Sequence, residues 1–252
     1  MKKIFQLNIV LLVILLFGCG NNEKNQPLII GTSADYPPFE FKQGEIFKGL
    51  DIDLANLIAK ELNRKIEFKN LSHDKLFTEL NANHIDLAIS SISFTKEREK
   101  NFDLSNPYYF SDIALIFKKD HPIQNIAELS HKKVGVQLGT TMEGWGRELF
   151  KDIQLVTMDF NNQLIEAIKS GQIDAVIIEY IQAKEFCNKN KDLGYLVASK
   201  ANHGYVIVMK KGSKLLQPVN AALEHIKSKG YFNVLEKQWL EVMIEEDPND
   251  VS

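Results

Sequence analysis

Two places in this 252-residue chain put ionisable side chains where a zwitterion could be held. Ser90-Ser-Ile-Ser-Phe-Thr95 runs into Lys96-Glu-Arg98, a polar strand end leading to a charged helix start. An arginine so placed can grip a carboxylate through two parallel hydrogen bonds, helped by serine hydroxyls and backbone N–H groups. Far along the chain, Glu179 closes the apolar run Ala175-Val-Ile-Ile178, and a carboxylate there suits an ammonium. Each such charge-assisted bond contributes roughly 1.5–3 kcal/mol. The other reading of Arg98 and Glu179 is as surface charges in helix salt bridges, and the residues alone leave both open. Catalytic patterns are largely absent: there is no HExxH, no CxxC and no Gly-x-x-x-x-Gly-Lys-Ser/Thr loop. Residues 139–146 are dotted with glycine but lack the lysine of a phosphate loop. His73, His84, His121, His131, His203 and His225 offer no pair at metal-ligand spacing on one helix face. No nucleophile elbow is present. Binding is favoured over catalysis, with no cofactor and no metal expected.

The elements that must position these groups read as two α/β units. The first has a short strand over 28–32, a loop over 33–39 containing Pro37-Pro38, and a helix over 51–62 with an acidic start. A strand over 66–69, a helix over 75–83 and a buried strand over 85–91 follow. The pattern recurs with a strand and Gly-Thr over 134–140, a helix over 164–170, and a turn with buried strand over 171–178. Ile85-Asp-Leu-Ala-Ile and Ile173-Asp-Ala-Val-Ile are local twins. The expected fold class is therefore α/β, with two mixed, mainly parallel sheets in two lobes. Ligands of such sheets sit outside the carboxyl ends of the strands, here 32–39, 90–93, 137–142 and 178–179. Apolar segments 113–117 and 205–209 are expected to connect the units as a two-strand hinge, with the second lobe inserted into the first. A final helical stretch over 217–240 should break at Gly230.

Composition is that of an ordinary globular protein, 44% apolar and 25% charged, and 252 residues suffice for one large domain or two lobes. The net charge of −3 supplies no basic field, which argues against nucleic acid as a partner. Lys2 and Lys3 followed by an apolar run ending at Phe17 form a secretory leader over 1–18, too short to span a bilayer. Its end, Leu16-Phe-Gly-Cys19, resembles the lipobox of bacterial lipoproteins, so Cys19 is the expected lipidation site and 19–27 a flexible tether. That places the protein in the periplasm or at the cell surface, held to a membrane by lipid. Cys187 is left as the one unmodified cysteine, a small packing residue.

Several motifs in order resemble one family. Gly31-Thr-Ser-Ala-Asp-Tyr-Pro-Pro-Phe-Glu-Phe41, Gly49-Leu-Asp-Ile-Asp-Leu54 and 85–98 are similar to the polar amino-acid-binding proteins of bacterial ABC importers. Phe102-Asp-Leu-Ser-Asn-Pro-Tyr-Tyr109, 134–141 and Lys229-Gly-Tyr231…Trp239 continue the likeness. The glutamine-binding and the lysine/arginine/ornithine-binding members are resembled about equally. The resemblance implies a clamshell, with 28–110 and 206–252 as lobe one and 111–205 as lobe two, closing over one free amino acid. It implies delivery to an ABC permease and, through it, to an ATPase subunit. It assigns the α-carboxylate to Arg98 with Ser91, Ser93 and Thr141, and the α-ammonium to Glu179 with Ser91 and Ser93. Glu179 is a methylene longer than the family's usual aspartate. Tyr36 would line the ligand's aliphatic part, and Ser90 stands at the same strand end. Ser33 replaces a frequent aspartate and His73 a frequent stacking phenylalanine, so with Gln137 they suggest a polar side-chain pocket. Asp35 is expected to point outward. The rival readings are a cyclohexadienyl dehydratase-like enzyme on the same architecture and a sensor subunit.

Overall fold

A computed structural model of the protein describes residues 26–149, 151–200 and 204–240. The expected leader, Cys19, the start of the tether, His203 and the residues after 240 lie outside the described residues. The chain begins with β1 (Leu28–Thr32) and a small antiparallel meander, β2 (Asp35–Tyr36), β3 (Glu40–Gln43) and β4 (Ile46–Lys48). Then come α1 (Leu50–Glu61), β5 (Ile66–Asn70), α2 (His73–Asn81), β6 (Leu87–Ala88), α3 (Lys96–Asn101) and β7 (Phe102–Leu104). A second unit follows: β8 (Ile113–Lys118), β9 (Lys133–Gln137), α4 (Thr141–Leu149), β10 (Gln154–Met158), α5 (Asn161–Lys169), β11 (Ala175–Glu179), α6 (Tyr180–Lys189) and β12 (Leu193–Ser199). The chain returns as β13 (Val208–Lys210), α7 (Leu216–Ser228) and α8 (Tyr231–Trp239).

Two five-stranded sheets result, ordered β5-β1-β6-β13-β7 and β10-β9-β11-β8-β12. Each has two parallel and two antiparallel pairings, with four of its five strands running in one direction and only β13 or β8 reversed, so both are mixed and mainly parallel, as expected from sequence. The twin segments do the same work in each. Asp86 Oδ2 accepts from Ile29 N–H at 2.9 Å, and Asp174 Oδ2 accepts from Lys133 N–H at 2.8 Å, starting the parallel pairing in both. Gly31 and Gly135 also correspond: a Cβ on the first would stand 2.5 Å from Ile85 Cδ1, and on the second 2.6 Å from Ile173 Cδ1. Helices cover both faces of each sheet. Leu54 and Ile58 of α1 pack with Leu28, Ile30, Val219 and Leu223, while Leu76 and Leu80 of α2 pack on Ala88 and Val208. In the second sheet Leu164 and Ile168 of α5 cover Ile116 and Val176, and Met142 of α4 meets Val136 and Ile177.

The apolar segments expected to connect the units belong to the sheets instead. β8 is paired on both sides in the second sheet, and β13 on both sides in the first, because their buried residues need a covered ladder. The crossings fall beside them, and the two strands of chain meet where Tyr109 bridges Tyr205. The 33–39 loop carries β2, and the helix expected over 75–83 starts two residues earlier, at His73. The break at Gly230 is present, with Gly230 at φ 73° between α7 and α8.

A backbone junction sets the site's floor. Gly49 caps α1 at φ 123°, ψ 172°, a region open essentially to glycine alone. The next two N–H groups, of Leu50 and Asp51, donate to the carbonyls of Pro38 at 3.0 Å and Phe39 at 2.9 Å. The start of α1 is thereby satisfied by the segment that carries Glu40.

Candidate functional site

The carboxyl ends of β1, β6, β9 and β11 converge between the sheets. Arg98, Ser90, Ser91, Ser93, Glu179, Thr141, Tyr36, Ser33, His73 and Gln137 all line one cavity there. The space left among them is about 20 Å³, room for a water or two. Past Arg98 and Thr141 the cleft widens into a groove of about 640 Å³ that reaches Phe77, Phe102 and Trp145.

Arg98 sits in the first turn of α3, whose N-cap Thr95 accepts its backbone N–H at 3.0 Å. Its guanidinium lies 4.9 Å from the Phe77 ring centroid and donates to Ser93 O at 2.6 Å and Gly139 O at 2.9 Å. Those bonds use two of an arginine's five N–H donors, so a fork remains for a carboxylate. Burial lowers Arg98 to about 10, partly offset by the charge of Glu179, so it remains cationic at neutral pH. Glu179 ends β11 with 8% exposure and accepts a hydrogen bond from Tyr36 Oη across the cleft. Its carboxyl is raised by burial, against the bonds it accepts. Thr141 Oγ1 meets Ser93 Oγ at 3.4 Å, also across the cleft.

His73 is 5% exposed, its Nδ1 has no hydrogen-bond partner, and its ring meets Phe77 edge-on at 5.8 Å. Burial, with the Arg98 charge, lowers it to about 3, so it faces the cleft as neutral imidazole. Gln137 Nε2 donates to Asp159 O at 3.1 Å and reaches Ser33 Oγ at 3.4 Å, while Asn161 Nδ2 donates to Gln137 Oε1 at 3.0 Å. Asp35 does not point outward. Its Oδ2 accepts from the N–H groups of Asn161 and Asn162, capping α5 of the opposite unit where the helix dipole favours an anion. Burial nevertheless raises it to about 6.

The residue that sequence reasoning missed is Glu40. Only 1% exposed on the cavity wall, it accepts from Ser90 Oγ at 2.9 Å and Ser91 Oγ at 3.0 Å. Burial, then the nearby Asp51 charge, holds its carboxyl well above the ordinary range. No alternation marked it in the sequence: Glu40 opens β3 directly after the turn over 37–39, and only the fold brings Ser90 and Ser91 to it. Ser91 is fixed at φ 47°, with its N–H on Asp51 Oδ2 at 2.8 Å and its hydroxyl on Glu40. Asn161, Thr140, Met142, Ile177 and Ile178 complete the lining. Among the described residues no three His, Cys, Asp or Glu side chains converge as metal ligands. The arrangement offers a cationic fork, an anion opposite it and polar walls between, which is chemistry for holding a zwitterion.

Comparison with known proteins agrees with that chemistry. The arginine-binding extracellular protein ArtP of Bacillus subtilis is 37% identical over 225 residues, 87% of this chain and 88% of that protein. The L-cystine-binding protein TcyJ of Escherichia coli K12 is 30% identical, covering 84% of this chain and 82% of its own. Among solved structures, AbpA of Streptococcus pneumoniae, an amino acid ABC transporter substrate-binding protein bound to L-arginine, matches with TM-score 0.80. It is 35% identical over 87% of this chain and 97% of its own. An ancestral arginine-binding protein bound to glutamine matches at TM-score 0.82 and 34% identity, over 85% of this chain and 97% of its own. The two mixed sheets are thus those of the amino-acid-binding clamshell. The profile of one family matches residues 28–242, and with it the chain belongs to the bacterial extracellular solute-binding proteins, family 3.

Proposed function

We propose that this protein captures a free amino acid with a cationic side chain, arginine foremost, and presents it to an ABC permease coupled to an ATPase subunit. Arg98, with Ser91, Ser93 and Thr141, takes the α-carboxylate; Glu179 takes the α-ammonium. The side chain then runs past Tyr36 toward Glu40 and Ser90, between Ser33, His73 and Gln137. One observation carries the choice of side chain. Glu40 is a buried carboxyl on the cavity wall that holds only serine hydroxyls, and among the described residues it has no ion pair. A buried carboxylate without a cation is costly, and a ligand guanidinium or ammonium removes that cost. The names of the arginine-binding relatives point the same way. The relatives are binding proteins, so chemistry on the ligand is not part of the proposal.

A cavity of about 20 Å³ admits no amino acid unless its walls part, so capture is by hinge opening and closure of lobes 28–110 with 206–252 against 111–205. Arginine at a hundred times its Kd should stabilise the protein by about 2.7 kcal/mol, a rise in Tm of roughly 5–10 °C. A thermal-shift series with the twenty amino acids and ornithine reads this. A larger rise with glutamine than with arginine, lysine or ornithine would replace the cationic reading with a neutral one.

Cys19 is proposed as the lipid attachment site that tethers the protein outside the cytoplasm. Cys19→Ser is expected to abolish incorporation of labelled palmitate, and continued labelling would remove the assignment.

A further inference from the structure

Glu40 shares its burial with a second acid. Asp51, in the first turn of α1, is fully buried, and its Oδ2 accepts from Ser91 N–H at 2.8 Å and Tyr108 Oη at 2.9 Å. Its Oδ1 is buried without a hydrogen-bond partner. Ser91 ties the two together, giving its N–H to one carboxyl and its hydroxyl to the other. Two bare anions bridged by one serine cannot both persist away from water, and a proton on one carboxyl lets it donate toward the orphaned oxygen of the other.

We propose that Glu40 and Asp51 share a single proton, which a ligand's cationic side chain expels, so that capturing a basic amino acid releases about one proton and capturing a neutral one releases none. The proposal rests on the cationic reading of the site. Glu40 is the residue that meets the ligand; Asp51 is a positioning residue that acts through it. The proton leaves to solvent, and the ligand's positive charge takes its place. A neutral amide ligand instead accepts a hydrogen bond from the protonated pair, so pH selects between the two ligand classes at one site.

The surrounding groups leave this signal readable. Burial raises Asp51 to about 6 and, with the Asp51 charge, lifts Glu40 further. The phenols of Tyr108 and Tyr205 are pushed above their ordinary value and stay protonated. Among the other lining groups, Arg98 at about 10 stays cationic and His73 at about 3 stays neutral. Asp35, at about 6, adds its charge to Glu40, and Glu179 is raised, but both meet either ligand alike.

The test is calorimetric titration of the purified protein with arginine and with glutamine in buffers of different ionisation enthalpy. Arginine is expected to release about one proton and glutamine almost none. The arginine association constant should rise with pH, by up to about tenfold per unit while the free pair still holds its proton, with glutamine nearly flat. In Asp51→Asn the amide donates to Glu40, so arginine should still bind and proton release should vanish; Asp35→Asn should leave the difference between ligands intact. If Asp51→Asn does not fold, the comparison of the two ligands on the unaltered protein decides alone. Arginine binding with the same proton count as glutamine overturns the shared proton and spares the ligand reading. No arginine binding at any pH overturns that reading and the shared proton with it.

Discussion

Replacing Arg98 with alanine is expected to weaken amino-acid binding by roughly 30- to 5,000-fold, the 2–5 kcal/mol lost when one partner of a desolvated charge pair is removed. The loss has two parts. On the proposed reading, the α-carboxylate would lose its bidentate partner and be left in a cleft lined by the acids Glu179 and Glu40. The cleft also loses the bond from Arg98 to Gly139 O, which spans from one unit to the other. Arg98→Lys keeps the charge and loses the fork, so its affinity should fall between the two. Isothermal titration with arginine measures each, and thermal unfolding without ligand is the control. A fall in ligand-free Tm that accounts for the whole binding loss would make Arg98 a structural residue.

Gly49→Ala should have the largest effect on folding. A Cβ at Gly49 would stand 2.1 Å from the Phe39 carbonyl oxygen, 2.5 Å from its carbon and 2.8 Å from Pro38 O. All three are backbone atoms, held in place by the N–H groups of Leu50 and Asp51. With φ 123° to be abandoned as well, the cost should be about 3 kcal/mol or more, a fall in Tm of roughly 6–12 °C. The same shift would move Glu40 away from Asp51, so affinity for arginine should drop along with stability. Thermal unfolding and titration on the one variant check both, and an unchanged Tm would mean the junction can rearrange freely.

Much of this site was legible because it lies where buried apolar strands run out into polar residues. Ser90 to Ser93, Gln137 to Thr141 and Glu179 each follow such a run, and parallel sheets bring those ends together. The twin Ile-Asp segments likewise announced a repeated unit, and Asp86 and Asp174 make the same bond in each. What was not legible depends on partners remote in sequence. Asp35 reads as a loop charge until α5, 126 residues on, presents its N-terminus. Asp51 and Asp53 read alike as acids suited to the start of a helix. In the fold Asp53 takes Trp239 Nε1–H at 2.8 Å near the surface, while Asp51 is sealed beneath Ser91 and Tyr108. Which sheet takes up 113–117 and 208–209 was hidden for the same reason: apolar residues declare burial, not which sheet buries them.

The place of β13 bears on the order in which the molecule can be finished. β7 pairs with β13 and with no other strand of its sheet, and Val208 is the partner of Leu104, about a hundred residues earlier. A chain emerging N-terminus first therefore holds β6 and β7 apart, each with an unpaired edge, while the whole of 113–199 is made. That later stretch contains every strand of its own sheet and can close first. The half begun first is completed last. Until residues 208–210 arrive, the nascent protein carries an open sheet edge of the kind that invites pairing with another chain, and holding chaperones would find it there.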